Sequence, residues 1–163
     1  RTHVKEEFGK KIKYIIEGGL SKIGLESTII NLTGKPEILR IGSIDIDKLS
    51  KALKKKLLYR KKTYMKVPGQ NRLHYSPGIP LRMNCKEASL DEAFILVKKR
   101  DNSNKNFFYL SKNKNLKEAA RNLYSVLRII KKKGYKKIAV EKIENKGIGL
   151  AINDRLQKAS TKK

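Results

Sequence analysis

Cysteine, histidine and tryptophan are nearly missing from this chain of 163 residues, which has one Cys, two His and no Trp. A lone Cys85 excludes an intrachain disulfide and any Cys-x-x-Cys metal knuckle, and with His3 and His74 as the only imidazoles a zinc site has too few donors. Long apolar runs are lacking too. No stretch of about 18 apolar residues could span a bilayer as a helix, and the first residues carry no secretory apolar segment. A reducing, cytoplasmic setting with no membrane contact is therefore expected. Negative charge is also scarce: 15 Asp and Glu face 40 Lys and Arg, a formal net charge of +25.

That charge is unevenly spread. Residues 1–47 hold eight Lys/Arg against seven acids, residues 48–82 hold eleven against none, and residues 83–163 hold twenty-one against eight. The excess begins abruptly at residue 48. Clustered cations release counterions from phosphate backbones, so a nucleic-acid or polyphosphate surface is one reading. Compositional bias is the plainer one, because 31 of the basic residues are Lys, a solvated point charge, whereas bidentate phosphate recognition favours Arg.

The length allows one ordinary core or two small ones. Val4, Phe8, Ile12, Ile15 and Ile16 recur at helical spacing, with Glu6 and Glu7 early and Lys10, Lys11 and Lys13 late; the pattern predicts an amphipathic helix stopped at Gly18-Gly19. Segments 26–32 and 37–41 read as strands around the turn Thr33-Gly34-Lys35-Pro36. Asp47 is placed to cap a second helix carrying Leu49, Ala52, Leu53 and Leu57. From Tyr59 to Pro80 periodicity gives way to a connector with Pro68, Gly69, Pro77, Gly78 and Pro80, too long for an idle loop. Apolar runs at 81–85, 94–98 and 107–110 follow, then a helix over 116–133 with Ala119, Ala120, Leu123, Leu127 and Ile130 on one face. A strand over 137–143 comes after the Gly134 stop, and a last helix over 149–159. Strands alternating with helices predict a small α/β layer structure.

A few residues offer chemistry. Ser27 and Arg40 fall on the two strands of the hairpin, where a hydroxyl can hydrogen-bond an amino-acid substrate and a guanidinium can pair with phosphate in fork geometry. The plainer reading is a packed strand Ser and an Arg on the sheet rim. Tyr75, in His74-Tyr75-Ser76-Pro77, reads in isolation as a turn anchor. His74 has the chemistry of a general base, although one His in a loop is usually not catalytic. Gly147-Ile148-Gly149 before a helix offers backbone N–H groups to an anion, or simply makes a tight turn. Asp154 and Arg155 read as a surface network. Phe107, Phe108 and Tyr109 are expected half buried in a strand, not exposed as the stacking platforms of a single-strand binder.

Three sets of residues carry a resemblance. Gly24-Leu25-Glu26-Ser27-Thr28-Ile29-Ile30-Asn31 with Leu39-Arg40-Ile41-Gly42, then Pro68-Gly69 with His74-Tyr75-Ser76-Pro77, then Glu118-Ala119-Ala120-Arg121-Asn122-Leu123 with Gly149-Leu150-Ala151-Ile152-Asn153-Asp154-Arg155-Leu156, resemble in order the later part of the threonylcarbamoyl-AMP synthase (YrdC-type) family in its longer, two-domain form. Asn31 and Ile41 depart from the family's usual Asp and Pro, and Gln70-Asn71-Arg72-Leu73 from its usual linker run. The resemblance implies the C-terminal half of a longer enzyme: residues 1–58 as the end of a YrdC-like α/β domain, 59–80 as a linker crossing the active site, and 81–163 as a small Rossmann-like α/β domain. It implies a nucleotidyltransferase that makes threonylcarbamoyl-AMP from L-threonine, bicarbonate and ATP, with Mg2+, for tRNA threonylcarbamoyladenosine modification. Downstream threonylcarbamoyl transferase machinery would take the product, and the basic surface would allow tRNA contact. Ser27 would contact threonine, and Arg40 and Tyr75 the ATP; no metal ligand and no acid or base is assigned. The half alone is expected to be inactive. The alternative, from the charge, is a non-catalytic nucleic-acid-binding or regulatory module.

Overall fold

The computed structural model describes residues 2–19, 21–59, 67–68 and 77–160. Two sheets organise them. The first has strands β1 (Ile29–Asn31), β2 (Glu37–Arg40) and β3 (Leu58–Tyr59) in that order, β1 antiparallel and β3 parallel to β2. The second has β4 (Leu81–Arg82), β5 (Ala93–Leu96), β6 (Phe107–Tyr109) and β7 (Ile138–Val140) in the order β4-β7-β5-β6, all parallel.

The hairpin forms where the turn residues stood. Gly34 sits at φ +127°, and Asn31 Oδ1 accepts from the Thr33 N–H at 2.9 Å and from Thr33 Oγ1 at 2.7 Å. That Asx turn needs only a side-chain carbonyl oxygen two residues back, which Asn supplies as well as Asp.

Three helical expectations are corrected. Helix α1 runs only over Thr2–Phe8, followed by one 3-10 turn to Lys11, and Ile12 is extended. Gly9 at φ +50° interrupts it, and the stripe is covered only in part among the described residues: Phe8 is 48% and Ile16 94% exposed, while Ile12 and Ile15 are half-buried. An amphipathic pattern that is only partly packed gains too little to hold a long helix. The second helix, α2 (Ile46–Leu53), is capped by Asp45, whose carboxylate accepts from the Asp47 N–H; Asp47 is instead in the first turn. Lys54 in the left-handed region ends α2, so Leu57 is no part of it and is buried beside β3.

Helix α3 (Leu116–Lys132) begins where Asn115 accepts from the Lys117 and Glu118 N–H groups, and its predicted apolar face is buried throughout. Helix α4 is Ile148–Ser160. Both pack on one face of the parallel sheet, against Ala93, Ile95, Val97, Ile138 and Val140. The other face, Phe94, Leu96 and Ala139, is covered by Cys85, Ala88, Phe107 and Tyr109, with the Arg100 guanidinium 4.9 Å over the Phe94 ring. Both faces of β5 are thus dry, which explains its unbroken apolar run.

Helix α4 serves both sheets. Ile152, Leu156 and Ala159 enter the core of the parallel sheet, while Ala151 and Leu150 pack with Ile38, Ile41 and Leu57 of the hairpin sheet. The loop before β1 presses on α3: a Cβ on Gly24, at φ +74°, would lie 2.6 Å from the Arg121 Cα.

Candidate functional site

The hairpin brings Ser27 and Arg40 into direct contact. Arg40 Nη2 donates to Ser27 Oγ at 2.9 Å and Nε donates to the Ser27 carbonyl at 2.9 Å. Ser27 lies two residues ahead of β1, and the pairing shifts between Ile29 and Ile30, opposite the end of β2 where Arg40 stands. A break in the ladder there turns the Ser27 backbone toward the guanidinium instead of into the next strand pair. The third contact of Arg40 comes from the connector: Nη1 donates to the Pro68 carbonyl at 3.0 Å. Of the five guanidinium donors, three are engaged among the described residues, which leaves fork capacity for an anion.

Gly42 sets how close the strands come. A Cβ there would fall 2.2 Å from the Thr28 nitrogen and 2.4 Å from the Ser27 carbonyl carbon, so only glycine lets the chain after β2 lie on the Ser27 backbone. Thr28 Oγ1 accepts from the Ile44 N–H at 3.3 Å and fastens the same crossing.

Asp154 and Arg155 are a buried cluster, not a surface network: the Arg155 side chain is 1% and that of Asp154 11% exposed. Arg155 Nε donates to Glu26 Oε2 at 2.9 Å, Nη2 donates to the Ile41 carbonyl at 2.9 Å, and Nη1 pairs with Asp154. Lys158 Nζ donates to Asp154 at 2.8 Å, and the Tyr59 hydroxyl to its other oxygen at 3.3 Å. Burial, then the Asp154 charge and hydrogen bond, push the Tyr59 phenol up to about 12. The Tyr124 hydroxyl on α3 donates to Glu26. Sequence reasoning missed Arg155 and Glu26. Arg155 stands among Asn153, Asp154, Gln157 and Lys158, so nothing local in the sequence marks it as buried.

Gly147-Ile148-Gly149 is a tight turn. Gly149 and Leu150 N–H groups donate to the Lys146 and Gly147 carbonyls, and a Cβ on Gly149 would fall 2.0 Å from the Glu144 carbonyl oxygen. Tyr75 and His74 lie outside the described residues. Two clefts of about 610 and 560 Å3 open elsewhere, around Arg100 and Phe107 and around Lys112 and Lys142. Neither is lined by Ser27 or Arg40, and the contact geometry of the hairpin is the better guide to chemistry than open volume.

Two family models match this chain. Residues 39–161 match "Threonylcarbamoyl-AMP synthase, C-terminal domain", and residues 1–42 match "Telomere recombination". The chain belongs to the threonylcarbamoyl-AMP synthase family. Among curated relatives, the threonylcarbamoyl-AMP synthase of Pyrococcus abyssi is 32% identical over 97% of this chain and 52% of its own length. That of Schizosaccharomyces pombe is 29% identical, over 98% and 48%. The chain therefore spans about half the length of the family members it matches. The crystal structure of a P. abyssi relative complexed with L-threonine superposes with a TM-score of 0.81 at 30% identity, covering 98% of this chain and 52% of that one. The fold is thus the mixed α/β arrangement of this family, with its parallel sheet. A variant of that relative with a His and a Tyr replaced by Ala gives 0.72 at the same identity.

Proposed function

We propose that this chain is the second half of an L-threonylcarbamoyladenylate synthase, a nucleotidyltransferase that joins L-threonine, bicarbonate and ATP for tRNA modification in the cytoplasm. The observation that carries the reading is the Ser27–Arg40 contact under the Pro68 carbonyl, in a chain whose fold follows a threonine-bound relative over nearly its full length. Ser27 Oγ offers a neutral donor and acceptor to the substrate's polar atoms. Arg40 supplies a permanent charge for a phosphate, and the hydrogen bond between them holds the two groups side by side before either ligand arrives. Such a reaction depends on positioning and charge neutralisation more than on proton transfer.

Tyr75 in the connector would contact the nucleotide, and the connector would cross the site from residue 59 to residue 80, with 81–163 as the small Rossmann-like C-terminal domain. The Arg40 to Pro68 bond supports that course. No cluster of three or more His, Cys, Asp or Glu that could hold a metal ion occurs among the described residues. Magnesium would accompany the ATP phosphates, as it commonly does. No helix among the described residues is long and apolar enough to cross a membrane.

Pyrophosphate release from ATP, threonine and bicarbonate tests the proposal. It should be robust with the full-length protein and stay at background with residues 1–163 alone. In the full-length protein Ser27→Ala should raise the threonine KM, and Arg40→Ala the ATP KM by the equivalent of about 1.5 to 3 kcal/mol. Unchanged constants in both variants would overturn the assignment, and binding of tRNA by a fragment without any synthase activity in the whole would favour a nucleic-acid-binding module.

A further inference from the structure

Arg155 is the most deeply buried charge in the molecule's described part, and its partners sit one residue from each member of the candidate site. Glu26, which takes the Nε bond, precedes Ser27; Ile41, whose carbonyl takes the Nη2 bond, follows Arg40. The guanidinium is planar, with its N–H groups in a fixed fork, so two acceptors held by one Arg are held at a fixed distance from each other. Asp154 orients that fork and is itself tied to Tyr59 on β3. One dipeptide of α4 therefore grips the entry to β1, the exit from β2 and the strand beside them. The Ser27–Arg40 bond alone could not do this, because Ser27 is exposed, Arg40 is only half-buried, and both rest on backbone that needs its own support.

We propose that Arg155 is a positioning residue: it sets the separation of the Ser27 and Arg40 backbones, so that the helix of the C-terminal layer acts as the template for the substrate hairpin. This deepens the synthase reading and rests on it for what the hairpin binds. It assigns the C-terminal layer a part in catalysis that does not require it to touch a substrate. A fixed separation matters because small displacements of positioned groups lower rates by about 100-fold.

The experiment uses the full-length protein and the variants Arg155→Lys, Glu26→Gln and Leu156→Ala. Lys keeps the charge but replaces the fork by one point, Gln keeps the shape of Glu26 but not its charge, and Leu156→Ala loosens α4 in the parallel-sheet core while leaving every hydrogen bond of Arg155 to the hairpin its donor and acceptor. Hydrogen exchange is read first on peptides covering 25–31 and 38–43. Both Arg155→Lys and Glu26→Gln should exchange faster there, whereas Leu156→Ala should change these peptides no more than the rest of the chain. Unaltered exchange in Arg155→Lys overturns the proposal whatever the enzyme does.

Kinetics then separate positioning from mere support. Arg155→Lys should lower kcat/KM for threonine and ATP by about 10- to 100-fold, and combining it with Ser27→Ala should cost less on threonine than the product of the two single effects. Strict additivity, or a loss no larger than that of an equally destabilised Leu156→Ala, also overturns it. If wild-type full-length protein makes no threonylcarbamoyl-AMP, the function fails while the exchange result still decides the role of Arg155.

Discussion

Phe94, Ile95 and Leu96 on the central strand of the parallel sheet are at most 1% exposed, while Val4, Phe8, Tyr14, Ile16, Ile23, Leu32 and Ile44, all before β2 or just after it, are each at least 40% exposed. The two regions bury by different means. The C-terminal layer closes its own core between β5, β7, α3 and α4. The hairpin sheet borrows burial from α2 and α4, and Leu32 and Ile44 at its margins stay exposed. The region bearing the candidate chemistry is thus the one that depends on other elements for its geometry, and the region without assigned chemistry supplies the rigid support.

The contrast breaks most visibly under large-to-small substitution. Leu123→Ala, at a fully buried site in the parallel-sheet core, should lower unfolding free energy by about 2 to 5 kcal/mol in a denaturant titration. A value near zero would mean that the layer is not self-sufficient.

Gly42→Ala probes the crossing where the chain after β2 lies on the Ser27 backbone. The added methyl would meet the Thr28 nitrogen, which is backbone and cannot swing away. A loss of about 1 to 3 kcal/mol is expected, accompanied in the full-length protein by weaker threonine binding in a calorimetric titration. Wild-type stability together with wild-type binding would show that the crossing is looser than drawn.

Acid should act mainly on the C-terminal layer. The hydrogen bond and charge of Arg82, helped by the Ser89 N–H, hold the Glu92 carboxyl at about 2, against an ordinary 4.5. A depressed folded-state value gives stability that is complete above about 4.5 and is lost as pH falls toward about 2. Melting temperature followed across that window should drop more steeply in wild type than in Glu92→Gln, and parallel curves would remove Glu92 from the account.

The smallest effect is expected at an exposed apolar position. Leu32→Ser, at a side chain 57% exposed, should change stability by no more than about 0.5 kcal/mol while raising the protein concentration at which aggregation sets in. A large loss of stability would reveal a contact for Leu32.

Periodicity and turn chemistry carried the local structure. The Leu116–Lys132 helix, the hairpin turn at Thr33-Gly34-Lys35-Pro36 and the buried run of β5 were legible because each rests on neighbours in sequence: helical spacing, an Asx turn, an apolar stretch bounded by breakers. The N-terminal helix was read too long because its stripe was real but is only partly covered among the described residues, and a pattern states what an element could bury, not what covers it. The Asp45 cap was missed because Asp45 and Asp47 are equivalent cap candidates by composition, and only the backbone chooses between them. Ser27 and Arg40 were singled out as a pair; their actual bond depends on a shifted register that no spacing rule shows. Arg155 was decided wholly by tertiary structure. Its side chain reaches across 129 positions to Glu26 and 114 to Ile41, and an Arg on a helix is solvated or buried according to which acceptors the rest of the chain brings to it.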